Sequence, residues 1–139
     1  MTKGYHDYDL EDRLIDFAVR IIALLESLPK TKVGKHVGGQ LLRSGTSPAP
    51  NYGEAQGAES RSDFIHKMKI CLKELRETRV WLKIIEKTGL IKPESKLKLL
   101  FKENDQLISI FVASIKNSER EQKENFLIRY FLFDIRHFQ

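Results

Sequence analysis

The chain has 139 residues, 24 Lys and Arg against 19 Asp and Glu, 41% apolar residues and a single cysteine. This length predicts one domain around a single core, and the composition excludes wholesale disorder. One cysteine excludes an internal disulfide and any cysteine-rich zinc site, and a pI near 9.3 is compatible with a nucleic-acid partner without pointing to one.

The opening MTKGYHDYDLEDR has no apolar run behind its basic residue, so neither a signal nor a transit peptide is read there and a cytoplasmic location is expected. A first helix is predicted from Asp9 to Leu28, with Leu10, Leu14, Phe17, Ile21, Leu24 and Leu28 in alternating steps of four and three. Asp9 is suited to cap it and Pro29 to stop it. Ile15, Ala18, Ile22 and Leu25 form a second apolar row, which predicts a wide buried face.

Residues 32–59 are harder to assign. Val33, Val37 and Leu41 keep helical spacing, but SGTSPAPNYGEAQGAESR, at 44–61, is punctuated by Gly45, Pro48, Pro50, Gly53 and Gly57. A phosphate-cradling loop needs a preceding strand and a Gly-Lys-Ser/Thr run, and both are missing from the sequence. A helix is the better reading. With Ser47 capping a new turn, Pro48 and Pro50 fall in the first turn, where a missing N–H costs little. Ser47, Asn51, Glu54 and Ala58 then share a face.

A long third helix is predicted from Arg61 to about Thr88, with a seam of Phe64, Met68, Cys71, Leu75, Thr78, Leu82 and Ile85. Ser60 or Ser62 can start it and Gly89 can end it. The last core helix opens at Pro93 and repeats the pattern at Leu97, Phe101, Asn104, Ile108, Phe111 and Ile115. No segment alternates with period two, so the predicted class is all-α: an up-down-up-down four-helix bundle with a kinked second helix. The bundle is assigned to 1–118, and 119–139 to a charged linker and a short apolar C-terminal extension. Ile128, Phe131, Leu132, Ile135 and Phe138 share a face of that extension, which is too short and too charged to cross a membrane.

The stretch LLRSGTSPAPNYGEAQGAESRSDFIHKMKICLKELRETRVWL resembles the four-helix-bundle family called 23S rRNA intervening-sequence proteins. Members carry an Arg, a Ser, then Asn-x-x-Glu-x-x-Gly/Ala, a Ser/Lys-rich turn and a Phe-led helix with Glu residues in its second half. The resemblance covers roughly residues 9–116, and the matching positions are Arg43, Ser44, Ser47, Asn51, Glu54, Gly57, Ser60, Phe64, Lys67, Lys73, Glu74 and Glu77. Pro48, Pro50 and Gly53 stand where helix formers are commoner, which places the kink near 46–50. The resemblance implies a homo-oligomer, a pentamer in this family, with no catalytic activity. It also implies similarity to the accessory protein of diversity-generating retroelements, which contacts a reverse transcriptase and nucleic acid.

Taken residue by residue, the chemistry is sparse. Asp63 and His66 have a di-iron-like spacing, but such a site needs a second copy and two further inward glutamates. His6, His36 and His137 have no partner at ligand spacing, and Cys71, on the seam, reads as an inert thiol. No catalytic residue, metal or cofactor is expected. The third helix carries two more informative rows. Lys69, Lys73, Arg76, Lys83 and Lys87 form a basic stripe, read as an RNA- or DNA-binding face, with a merely solvated face as the competing reading. Ile70, Glu74, Glu77, Trp81 and Ile84 form the other, read as a subunit interface or a polar network with Arg43, Asn51 and Glu54. The expected function is a noncatalytic oligomeric bundle associating with nucleic acid as an adaptor; a protein scaffold with no nucleic-acid role is the alternative.

Overall fold

The structure, a computed structural model, describes residues 5–92 and 95–137. Pro93 and Phe138, and the side chains of His6, Asp9 and His137, lie outside the described residues. The elements are α1 (Tyr5–Leu25), α2 (Lys32–Thr46), α3 (Pro48–Gln56), α4 (Arg61–Thr88) and α5 (Ser95–His137). No strand occurs among the described residues. Because α2 and α3 join into one bent helix, the chain is a bundle of four helices, up-down-up-down, as the periodicity predicts.

The bend has a specific cause. Pro48 and Pro50 have no N–H to give to the carbonyls of Ser44 and Thr46, so two rungs of the helical ladder, on either side of Ala49, are missing. Ser47 is not the expected cap. Its backbone is itself helical (φ −60°, ψ −38°), its N–H donates to Arg43 O at 3.1 Å, and its side chain caps nothing. The Asn51 amide instead donates to Ser47 O and Oγ, both at 2.9 Å, and re-establishes the helix on the far side.

Helix ends follow capping rules elsewhere. Thr31 accepts from Gly34 N at 3.1 Å, and Ser60 accepts from Asp63 N at 3.0 Å. Gly89 closes α4 in the left-handed region at φ 65°, returning its N–H to Glu86 O. Helix α1 starts before Asp9, which therefore lies inside it rather than at its cap, and α1 ends at Leu25, three residues short of the expected boundary. Gly45 allows close approach: a Cβ there would come within 2.9 Å of the Ile21 side chain, so the α1–α2 crossing depends on its absence.

The core is one cluster drawn from all five elements. On α4 the buried line is Ile65, Met68, Cys71, Leu75, Thr78, Leu82 and Ile85, with Phe64 only half-buried. On α5 it is Leu97, Leu100, Asn104, Leu107, Phe111 and Ile115, so Leu100 and Leu107 take the places expected for Phe101 and Ile108. The second apolar row of α1 is only partly covered: Ile15 and Ile22 are nearly half exposed, whereas Ala18 is half-buried and Leu25 packs against the core. Helix α5 runs without interruption through 119–125, where a charged linker was expected, and neither Gly nor Pro occurs in its sequence to break it.

Candidate nucleic-acid interface

Helix α4 organises the candidate site because it packs on α2, α3 and α5. Two buried polar contacts fix its register among them. Thr78 Oγ1 lies 2.9 Å from both Glu74 O and Ser44 Oγ. Its single proton goes to the carbonyl, and the Ser44 hydroxyl supplies the other bond. Asn104 Nδ2 donates to Leu75 O at 3.1 Å, while its Oδ1 is buried without a protein partner.

With that seam turned inward, the basic row faces out. Lys69, Lys73, Arg76, Lys83 and Lys87 are all exposed, and Val80, 55% exposed, fills the gap between Arg76 and Lys83. The row spans roughly 27 Å of helix. The Lys69 ammonium sits 3.1 Å from Glu119 of α5 and is partly neutralised. No ion pair is formed among the described residues by Lys73, Arg76, Lys83 or Lys87, so four cations face solvent in one line.

The polar set divides into three. Arg43 on α2 pairs with Glu74 at 2.9 Å and with Glu77, and Glu77 also accepts from Trp81 Nε1 at 3.1 Å. The Trp81 ring meets His36 edge-on at 6.0 Å. Helices α2 and α4 are thus clamped by one guanidinium, two carboxylates and an indole. Glu54 stands apart: it pairs with Lys67 at 2.9 Å and raises the Lys67 pKa above the ordinary lysine value, by hydrogen bond and then by charge. Asn51 is occupied with Ser47. Of the flanking apolar residues, Ile70 and Trp81 are half-buried and Ile84 is exposed.

Several participants were not foreseen. Arg79 pairs with Asp105 at 2.7 Å and lies over the Phe101 ring, bordering the stripe on its α5 side. Asp105 and Glu119 lie fourteen residues apart on α5, and Lys98, seven residues before Asp105, is exposed. Arg13 joins α1 to α5 through Glu103 and, at 3.0 Å, Gln106.

Cys71 is fully buried, its thiol 3.6 Å from Pro48 O, and burial pushes its pKa up to about 12. Below about pH 8 the thiol is neutral in both folded and unfolded chains, so its contribution to stability is complete there. Between pH 9 and 12 only the unfolded chain ionises, and stability falls as pH rises. At pH 10.5 the parent should therefore lose about 2 kcal/mol that a Cys71→Ala variant does not lose relative to pH 8, as read from denaturant midpoints. Identical pH dependence in the two proteins would refute this. His66 is exposed, and among the described residues no three His, Cys, Asp or Glu side chains converge as a metal site would require.

The chain matches the family described as 23S rRNA-intervening sequence protein over residues 6–113. It is similar to a crystal structure from Bacteroides thetaiotaomicron of a protein with unknown function from the S23 ribosomal protein family. Identity is 36%, the TM-score is 0.71, and the match covers 77% of this chain and 98% of that one. No curated protein matches.

Proposed function

The chain belongs to the 23S rRNA-intervening sequence protein family, and from that premise we propose that it is a noncatalytic, oligomeric helical-bundle protein of the cytoplasm that associates electrostatically with RNA or DNA as an adaptor. The observation that carries the reading is the line of Lys73, Arg76, Lys83 and Lys87, exposed and, among the described residues, without carboxylate partners, on a helix that Arg43 ties to α2 through Glu74 and Glu77. Charges placed so engage phosphates and carry no base-specific information. The protein then holds nucleic acid in a fixed orientation without selecting its sequence. Repetition of the line by oligomeric symmetry, with a pentamer as the proposed assembly, multiplies weak contacts through avidity. A second protein, a reverse transcriptase in kind, is the proposed other client of the adaptor.

The test is salt. Fluorescence anisotropy with labelled 20-nucleotide RNA and a 20-base-pair DNA duplex should give affinities that fall with a log-log slope of about −0.9 per phosphate neutralised on the duplex. Four phosphates correspond to a loss of roughly a hundredfold between 50 and 200 mM salt. Absence of binding at 50 mM, or affinity indifferent to salt, would overturn the proposal. Binding surviving unchanged with scrambled sequences is expected.

A further inference from the structure

The inward face of α5 does not end with the core. Its buried line runs through Leu97, Leu100, Asn104, Leu107, Phe111 and Ile115. At about 100° per residue the same phase continues through Gln122, Asn125, Phe126 and Arg129, spaced i, i+3, i+4 and i+7, and these four side chains are exposed. Beyond Ile115 the first turn of α4 stands opposite, held by the ion pair of Arg61 with Glu121 and by the Gln122 amide, which donates to Ser62 Oγ at 2.7 Å. A face packed on a neighbouring helix stays apolar; this one turns polar and basic around the Phe126 ring. Arg61, Ser62, Gln122, Asn125, Phe126 and Arg129 line a cleft of about 380 Å³ between the two helices, within the range of about 300–1,000 Å³ that small-ligand sites occupy. Phe126 is 67% exposed, more than any other large apolar side chain among the described residues, so its ring is free to be covered by a planar group. Arg61 shares its charge with Glu121, whereas Arg129 forms no ion pair and Asn125 no side-chain hydrogen bond among the described residues.

We infer that this cleft receives one unpaired base and its phosphate from a single nucleic-acid strand, an inference that rests on the nucleic-acid reading above. The chemistry of the lining matches that ligand group by group. A base stacks on Phe126 whatever its identity, since every base has a π-face. The Arg129 guanidinium, one turn further along the same face, meets the phosphate attached to it. The Asn125 amide keeps two donors and an acceptor for the edge of the base. A base inside a duplex already stacks on both neighbours and pairs through that edge, so the cleft separates single strands from duplex, which the stripe alone does not. Position supports the same ligand. Ser62 lies seven residues before Lys69, about 10 Å along α4 and on the side that carries the stripe, so a strand following Lys87 to Lys69 arrives at the cleft. The α5 wall of the cleft lies beyond residues 6–113, where the family match falls, so the selectivity belongs to the extension.

The experiment uses the full chain with a labelled 20-nucleotide RNA that cannot pair with itself and a 20-base-pair duplex. At 100 mM salt the parent should bind the single strand about tenfold more tightly than the duplex, the scale of one stacked base. Phe126→Ala should weaken single-strand binding by roughly that factor and leave duplex binding unchanged, and Phe126→Trp should keep the preference. Both substitutions fall at an exposed position, so the helical circular dichroism signal should not change. Arg129→Gln should lower the single-strand salt slope by about 0.7, the share of one phosphate. RNA carrying 5-iodouracil, irradiated in the complex, should cross-link within residues 122–129. Equal single-strand affinity of the parent and Phe126→Ala, or cross-links that all fall elsewhere, would overturn the cleft while salt-dependent binding left the stripe standing. Loss of single-strand binding in Phe126→Ala but not in the Lys73, Arg76 and Lys83 reversals would uphold the cleft and overturn the stripe. Absence of binding to either probe at 50 mM salt would overturn both.

Discussion

Reversing Lys73, Arg76 and Lys83 to Glu is expected to abolish nucleic-acid binding while leaving the bundle intact. All three side chains are exposed, none pairs with a carboxylate among the described residues, and none belongs to the buried line of α4. Lys, Arg and Glu have similar helix propensities, so helicity should hold. Each lost phosphate contact removes about 0.9 from the salt slope, and the three together remove about 2.7. At 100 mM salt the three reversals turn attraction into repulsion, and a fall of at least a hundredfold is expected, since close like charges cost several kcal/mol. Lys30→Glu, at the turn between α1 and α2, serves as the control for net charge and should change affinity only a fewfold. A triple variant that binds RNA and duplex DNA as tightly as the parent would reduce the stripe to a solvated surface and give preference to the protein-scaffold reading.

Truncating Phe111 to Ala should have the largest effect on stability. Phe111 is fully buried on α5 and meets the Tyr52 ring of α3 edge-on at 6.0 Å. It therefore fills the space where the bent helix, α4 and α5 converge. Buried Phe-to-Ala changes cost about 3–5 kcal/mol, from lost transfer energy and from the cavity left behind. In a chain of this size the melting temperature should fall by roughly 10–20 °C. Ile84→Ala, at a position 37% exposed, is the contrast and should cost under about 1 kcal/mol. If thermal melts show the two variants to be alike, Phe111 does not anchor the core.

How much of this was legible in the sequence depends on the kind of signal. The α4 seam was readable from Met68 to Ile85 because its steps of three and four are unbroken, but at its start Phe64 stands beside Ile65 and the packing buries Ile65. On α5, Leu100 stands beside Phe101 and Leu107 beside Ile108, both members apolar, and only the packing chooses between them. Ile15 and Ile22 look buried by spacing alone, but the bundle presents nothing to cover them. The bend was legible from Pro48 and Pro50, since a missing N–H is a local property; the role of Ser47 was not, because Asn51 takes over its work. Pairing between distant residues leaves no periodic trace. Arg43 meets Glu74 and Glu77 across two helices, whereas Glu54 is claimed by Lys67. The run SEREQKE looked like a linker because it is charged, yet those residues are good helix formers, and helicity there follows propensity rather than polarity. Family membership was legible for the same reason as the bend, since the Asn51, Glu54 and Gly57 spacing is local.

The two prolines also divide the bent helix into units that need not open together. Amide exchange propagates along a helix when breaking one rung weakens the next. Between α2 and α3 two rungs are already missing and the ladder is carried by Ser47 N–H to Arg43 O and Asn51 N–H to Ser47 O, so fraying that begins at Gln56 meets a weakened step before Leu41. Helix α3 is only nine residues long and is tied to its surroundings by side chains, Tyr52 against Phe111 and Cys71 against the Pro48 carbonyl. Its amides should exchange as a separate cooperative unit, orders of magnitude ahead of those at Leu41 and Leu75. The bundle can then release one short segment of its second helix and keep the remaining core closed.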